Sequence, residues 1–282
     1  MLCCIGDLVE DIVAWLSSDI AKGTDTDVEI HRRRGGSAAN VAVAAAGTGV
    51  PVRFIGRVGD DTIGRVLVSE LTDAGVDAVV QRSGRTGTIV VLVDACGERS
   101  MLPDRAAAIE LDEVSSADLD GVNWLHVPAY SLVGGPIAEA SIEAIRIMKG
   151  RGGTVSVDAS SVAIIEEFGV HRFGDLLSLV GPSVVLCNRD EANLLGVSDA
   201  EGLSGIDITV VKDGPRAAVA LDSSGIVASA SARQIANVRD TTGAGDAFAA
   251  GFIVAMMGDS DVEAALVNGH AVAASVLTRL SP

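Results

Sequence analysis

Short apolar runs alternate with longer stretches of helical spacing along most of this chain. The runs at 2–6, 52–58, 123–127, 154–158, 183–187, 207–211 and 217–221 are rich in Val, Ile and Leu, and predict buried strands. Between them, 62–73, 136–149, 190–195, 245–257 and 261–280 predict helices. Pro136 suits a first helical position and Gly150 a stop, while Ser260 with Glu263 predicts a capping box on the last helix. Such alternation implies an α/β fold: a three-layer α/β/α Rossmann-like arrangement around a mostly parallel sheet.

Two regions break the pattern. Residues 12–34 and 86–102 mix apolar and polar positions, which suits exposed or half-exposed β structure rather than core. Within the second, 88–93 predicts a strand and 95–98 a turn. These regions carry Ile12, Val13, Trp15, Leu16, Val90 and Leu92, more apolar surface than a mobile solvated flap needs.

With 282 residues and 48% hydrophobic content, the chain predicts one large domain spanning 1–282 with a small appendage. The net charge of −17 argues against nucleic acid or an anionic membrane as partner, and means a polyanionic substrate should arrive with a divalent cation. Only Lys22, Lys149 and Lys212 supply lysine, and no Gly-Lys-Ser/Thr phosphate loop occurs. The cysteines at 3, 4, 96 and 187 have no metal or redox spacing, and Cys3-Cys4 reads as core. No signal sequence or long apolar span is legible, so the expected location is cytoplasmic.

The richest local chemistry is Asp240-Thr241-Thr242-Gly243-Ala244-Gly245-Asp246-Ala247-Phe248, a Gly-rich loop opening onto an apolar helix. Unpartnered N–H groups and the positive helix end suit a phosphate. A carboxylate at Asp246 would repel that phosphate. It belongs there if it takes a proton from the attacking hydroxyl. The plainer alternative is an acid that complements the helix dipole. Upstream, Gly35-Gly36-Ser37-Ala38-Ala39-Asn40 precedes an Ala-rich run that reads as a buried helix, with Asn40 its one amide.

The two segments resemble the two signatures of the ribokinase-like (PfkB) carbohydrate kinases: D-T-x-G-A-G-D-x-F, with every fixed position filled, and G-G-x-x-x-N-x-A. The resemblance runs from Gly6 to the last helix. It implies an ATP-dependent kinase acting with Mg2+ on a hydroxyl of a small sugar or sugar derivative. In that resemblance Asp246 is the base and Gly243, Ala244 and Gly245 form the anion hole. Asp11, Gly35, Gly36 and Asn40 hold the sugar, and 12–34 with 86–102 form a β-sheet lid over it. Val9 stands where ribokinase proper has an asparagine, which counts against ribose.

Asn188-Arg189-Asp190-Glu191 resembles the family's N-x-x-E, which orders Mg2+ and phosphate through water; the alternative is a cap and a first-turn acid. By the same resemblance Asn188, Lys212, Gly214, Asn268 and His270 fall on the nucleotide side, the alternative for Asn268 and His270 being plain helix surface. Asp240 and Thr242 match a potassium site, which the chain's end at Pro282 puts in doubt. Arg105 reads as a surface arginine, the alternative being contact with an acidic sugar. Two rival readings are a nucleoside kinase of the same superfamily, for which aromatic residues are few, and an inactive sugar-binding or regulatory protein on this fold. A homodimer through the lid would cover its apolar residues.

Overall fold

A computed structural model of the protein describes residues 1–94, 96–236, 238 and 241–279. Its large sheet has nine strands. They are β1 (Leu2–Ile5), β4 (Val52–Val58), β5 (Val76–Arg82), β8 (Trp124–Pro128), β9 (Thr154–Asp158), β10 (Val184–Asn188), β11 (Ile208–Lys212), β12 (Ala218–Asp222) and β13 (Gly225–Ala230). They lie in the order β13-β12-β11-β10-β9-β8-β1-β4-β5. The pairings from β5 through to β11 are parallel, and β12 and β13 complete the sheet antiparallel.

Helices cover both faces. α1 (Ser37–Ala46), α2 (Thr62–Asp73), α7 (Ala244–Met257) and α8 (Val262–Arg279) share one apolar core with Leu2, Cys4, Phe54 and Leu186. On the opposite face α3 (Pro136–Gly150), α4 (Val162–Phe168), α5 (Val170–Val180) and α6 (Arg189–Leu194) share a second core with Ile5, Leu125 and Val157. Both faces of the inner parallel strands are buried, which is why they read as near-continuous apolar runs. From β1, the chain winds outward through β4 and β5 on one side and through β8 to β11 on the other. The carboxyl ends of the strands beside such a reversal form the natural crevice for a ligand.

A second, four-stranded sheet has the order β3-β2-β6-β7, from β2 (Val9–Leu16), β3 (Val28–Gly35), β6 (Thr88–Val93) and β7 (Arg99–Asp104). Two antiparallel hairpins, β2–β3 and β6–β7, join through the parallel pair β2–β6. Its strands run from 9 to 35, wider at both ends than the 12–34 region, and from 88 to 104, two residues further along than the 86–102 region. The expectation of exposed β structure fails for β2. It is one of the two inner strands, and Val9 and Val13 are buried.

By strand alternation Val13, Trp15, Val91 and Val93 share one face with Asp11 and Arg99, whereas Ile12, Val90 and Leu92 point the other way. The apolar residues of the two regions therefore split between two faces. Among the described residues no helix is long and apolar enough to cross a membrane.

The last helix is capped differently from the sequence expectation. Ala264 N–H donates to Asp261 Oδ1 at 2.8 Å, so Asp261 is the cap. Ser260 is not the cap: its own N–H turns back to the Ala255 carbonyl at 3.2 Å, closing the end of the preceding helix.

Candidate active site

The Gly-rich loop lies where the pattern places it. Gly243 is the N-cap of α7 at φ 75°, ψ −1°, a left-handed conformation that glycine adopts without strain. No side chain caps this helix. Ala244 N–H donates to the Thr241 carbonyl at 3.1 Å and is thereby committed within the turn. Among the described residues, the Gly245 and Asp246 N–H groups have no such partner; Gly245 is exposed and Asp246 half-buried. They are the open donors for an anion.

Asp246 is held from another helix. Ser37 Oγ donates to its Oδ1 at 2.7 Å and Asn40 Nδ2 donates to its Oδ2 at 2.9 Å. Ser37 and Asn40 are three apart on α1 and so share a face, which turns both toward the α7 terminus. Burial pushes the Asp246 carboxyl above its ordinary value, and the two hydrogen bonds oppose that rise. Asn40 in turn accepts from Arg34 Nη1 at 2.9 Å through its Oδ1.

The glycine pair before α1 is explained by a crossing of backbones. A Cβ at Gly36 would lie 2.1 Å from the Asp7 carbonyl oxygen, and one at Gly35 would lie 2.0 Å from Asp11 Oδ1. Asp11 sits on β2, 6% exposed, on the face that also carries Trp15, with the Arg33 guanidinium 3.8 Å away. Arg99 on that same face reaches Thr241 and Thr242, donating to their hydroxyls at 2.9 and 2.8 Å. That face of the small sheet therefore looks onto the loop before α7.

Across the crevice lies Glu191, 2% exposed. It forms a capping box with Asn188: Asn188 N–H donates to Glu191 Oε2 at 2.8 Å, and Glu191 N–H to Asn188 Oδ1 at 2.9 Å. The cap is thus present. Burial, with the Asp158 charge second, pushes the Glu191 carboxyl up to about 7. Lys212 Nζ bonds Asp158 Oδ2 at 2.5 Å and would lie 3.5 Å from a Cβ at Gly245, which puts its charge beside the open N–H groups. Burial works to lower the Lys212 pKa, but the Asp158 carboxylate overrides it and the net shift is upward.

Not every expected residue joins this cluster. Gly214 is exposed in the turn after β11. Asn268 Nδ2 donates to the Gly251 carbonyl at 2.7 Å, tying α8 to α7. His270 bonds the Ala230 carbonyl at 3.0 Å and meets Phe248 edge-on. Asp240 lies outside the described residues. Thr242 accepts a hydrogen bond from the Arg99 guanidinium through its hydroxyl.

Arg105 is not a surface arginine. It grips Asp7 with two bonds of 2.6 and 2.8 Å and the Tyr130 carbonyl with a third at 2.9 Å. The reason is position: the chain turns inward straight after β7, where the Asp7 carboxylate needs a partner. Ser37, Arg34, Asp158 and Arg99 were missed as site residues. Ser37 alone had a signal, its place inside the glycine–asparagine motif.

Comparison with known proteins agrees with this geometry. The pfkB family carbohydrate kinase model matches residues 1–282. A fructokinase of Klebsiella pneumoniae is 32% identical over 288 aligned residues, covering 95% of this chain and 89% of that protein. A 5-dehydro-2-deoxygluconokinase of Bacillus subtilis is 29% identical, covering 88% of this chain and 81% of that protein. The crystal structure of adenosine kinase from Sinorhizobium meliloti shares the fold with a TM-score of 0.86 at 24% identity, over 100% of this chain and 95% of that one. With a whole-length family match, a Gly-rich loop feeding a helix and an acid in its first turn, the chain belongs to the pfkB family of carbohydrate kinases and is an ATP-dependent kinase.

Proposed function

We propose that this protein transfers the γ-phosphoryl group of ATP to a hydroxyl of a small sugar or sugar derivative, with Asp246 as the base. The observation that carries the reading is the α7 terminus: open Gly245 and Asp246 N–H groups beside a carboxylate held by Ser37 and Asn40. The sugar hydroxyl gives its proton to Asp246 while its oxygen attacks the γ-phosphorus. The bond from phosphorus to the bridging oxygen breaks and ADP leaves. Gly243, Ala244 and Gly245 shape the cradle for the transferring group, and Lys212 neutralises charge beside it. Asp11, Gly35, Gly36 and Asn40 line the sugar side, beneath the small sheet acting as lid. Asn188 and Gly214 border the nucleotide side.

Glu191 fits a role in holding Mg2+ through water. Its buried carboxylate lies in the field of Asp158, and two acids with a single lysine between them can use a further cation. When bound with ATP, the ion neutralises charge on the β- and γ-phosphates. Potassium at Asp240 and Thr242 is the weaker part of the reading, since Arg99 already brings a charge to Thr242.

A nucleoside as acceptor is the second reading. The small sheet turns Trp15, Val13, Val91 and Val93 toward the site, an apolar roof that suits a base as well as a sugar ring. A coupled ADP-release screen over aldoses, ketoses, sugar acids and nucleosides separates the two. Turnover with a sugar alone supports the first reading, and turnover with nucleosides alone replaces it. Silence across the screen would favour an inactive sugar-binding protein.

The outer face of the small sheet carries exposed Ile30 and Leu102 beside half-buried Ile12, Val90 and Leu92, together with the Arg32–Glu10 pair at 3.1 Å. A second copy of the chain, apolar face on apolar face with charges of both signs at the rim, would cover it. Trp15 lies on the opposite face, so Leu102→Arg is the substitution that opposes such a dimer. A wild-type monomer by sedimentation at micromolar concentration rules it out.

A further inference from the structure

The Asn40 amide stands between two charged groups of opposite sign. Its Oδ1 accepts from Arg34 Nη1 at 2.9 Å, and its Nδ2 donates to Asp246 Oδ2 at 2.9 Å. Turning the amide over would set N–H against guanidinium and oxygen against carboxylate, losing both bonds and adding two repulsions. Without Arg34 half of that constraint is lost, because only the Asp246 carboxylate then sets which end of the amide faces it. Arg34 lies at the end of β3, in the small sheet, whereas Asn40 and Asp246 belong to the helical layer.

We infer that Arg34 is a positioning residue for the base: it acts through Asn40, fixing the amide so that it always donates to the Asp246 carboxylate. This inference rests on the assignment of Asp246 as base. Its consequence is that the orientation of the base depends on a residue carried by the small sheet. The side of Oδ2 left open to receive the hydroxyl proton, once Asn40 occupies one of its lone pairs, is then set partly from outside the helical layer. Ser37 holds the other oxygen, so neither Arg34 nor Asn40 is needed to keep Asp246 in place, only to keep it aimed. The charged groups that act on Arg34 itself are Glu70, Asp246 and Asp11, and all three favour its charged form against the cost of burial.

The test is a double-mutant cycle on the full chain with the acceptor that the screen identifies: Arg34→Ala, Asn40→Ala and the double variant. Each single variant should lose roughly tenfold or more in kcat, the scale of one hydrogen bond to a charged group. KM for MgATP should stay within about twofold. The losses should not add: once Asn40 is gone, removing Arg34 should cost nothing further. Arg34→Lys should recover part of kcat, since an ammonium also donates to Oδ1.

Additive losses would overturn the inference, because Arg34 would then act on substrate directly. An equal rise in KM for MgATP would also overturn it, since that reports general disorder of the site. If Arg34→Ala does not fold, the cycle is run with Arg34→Met, which keeps the apolar stem and removes every donor, judged by the same additivity. Asp246→Asn separates the two levels. Retained activity there sinks the base assignment, whereas a dead Asp246→Asn with additive Arg34 and Asn40 effects sinks only this inference.

Discussion

Asp246 and Glu191 occupy the same position in two helices, the third residue after the N-cap, and both border one crevice. Their surroundings differ. Glu191 folds back on its own helix: it caps Asn188, which caps it, and the end of α6 is closed. Asp246 caps no N–H of its own helix. A glycine stands at the cap position, the carboxylate is held by Ser37 and Asn40 of α1, and among the described residues the Gly245 and Asp246 N–H groups stay open. An acid in the first turn thus stabilises a helix end in one case. In the other it is held away from that end, which keeps the donors for an anion.

The largest effect should come from Asp246→Asn. The amide keeps the shape but takes no proton, so kcat should fall by roughly 10²–10⁴-fold with MgATP binding retained. More than about a tenth of wild-type kcat would break the contrast between the two acids. Next is Gly245→Ala. A methyl there meets Lys212 Nζ at an ordinary 3.5 Å and replaces glycine in a helix, so Tm should hold or rise by a few degrees. Phosphate approach should suffer, with activity down by roughly tenfold or more. Stability and activity moving together would contradict an open helix end.

Glu191→Gln is a smaller change, because Gln also completes a capping box. Since the folded carboxyl is raised to about 7, the folded state binds the proton more tightly than the unfolded chain does. That contribution is fully present below the unfolded pKa and is lost as pH rises through about 7. Wild-type Tm should therefore fall relative to Glu191→Gln between roughly pH 5 and 7. The variant should need several-fold more Mg2+ at neutral pH. Parallel melting curves against pH would remove the assignment.

Asn188→Ala should have the smallest effect, about 1 kcal/mol of stability from one lost cap. In calorimetry this is a drop of about 2–4 °C in Tm for a chain of this size. Its kcat should change less than that of Gly245→Ala.

The sheet was legible wherever burial on both faces left an unbroken apolar run, as in β9 and β10. It was not legible at β5 and β13, whose mixed residues reflect their places at the sheet's two edges. α4 and α5 were missed because Gly169 and Gly174 interrupt an otherwise amphipathic stretch. In the site, the loop from Thr241 to Asp246 was legible because its chemistry is contiguous. The contacts that aim the base were not, since Ser37 and Asp246 are 209 positions apart and no local pattern links them. Arg105 looked external because its partner Asp7 lies 98 positions away.

The small sheet has a kinetic consequence. Its hairpins come from separate insertions, and only the parallel pairing that begins at Glu10 and Thr88 joins them. On a ribosome, β2 and β3 emerge well before β6 exists. Until then β2 keeps one edge without a strand to pair with, and its Val13 and Trp15 face lacks Val91 and Val93. Pairings across such sequence separation form late, because the closure entropy comes before the contacts that offset it. The unjoined hairpin is therefore the part of this chain most exposed to misassociation during synthesis, and slowing translation between residues 35 and 88 should lower its yield of folded protein.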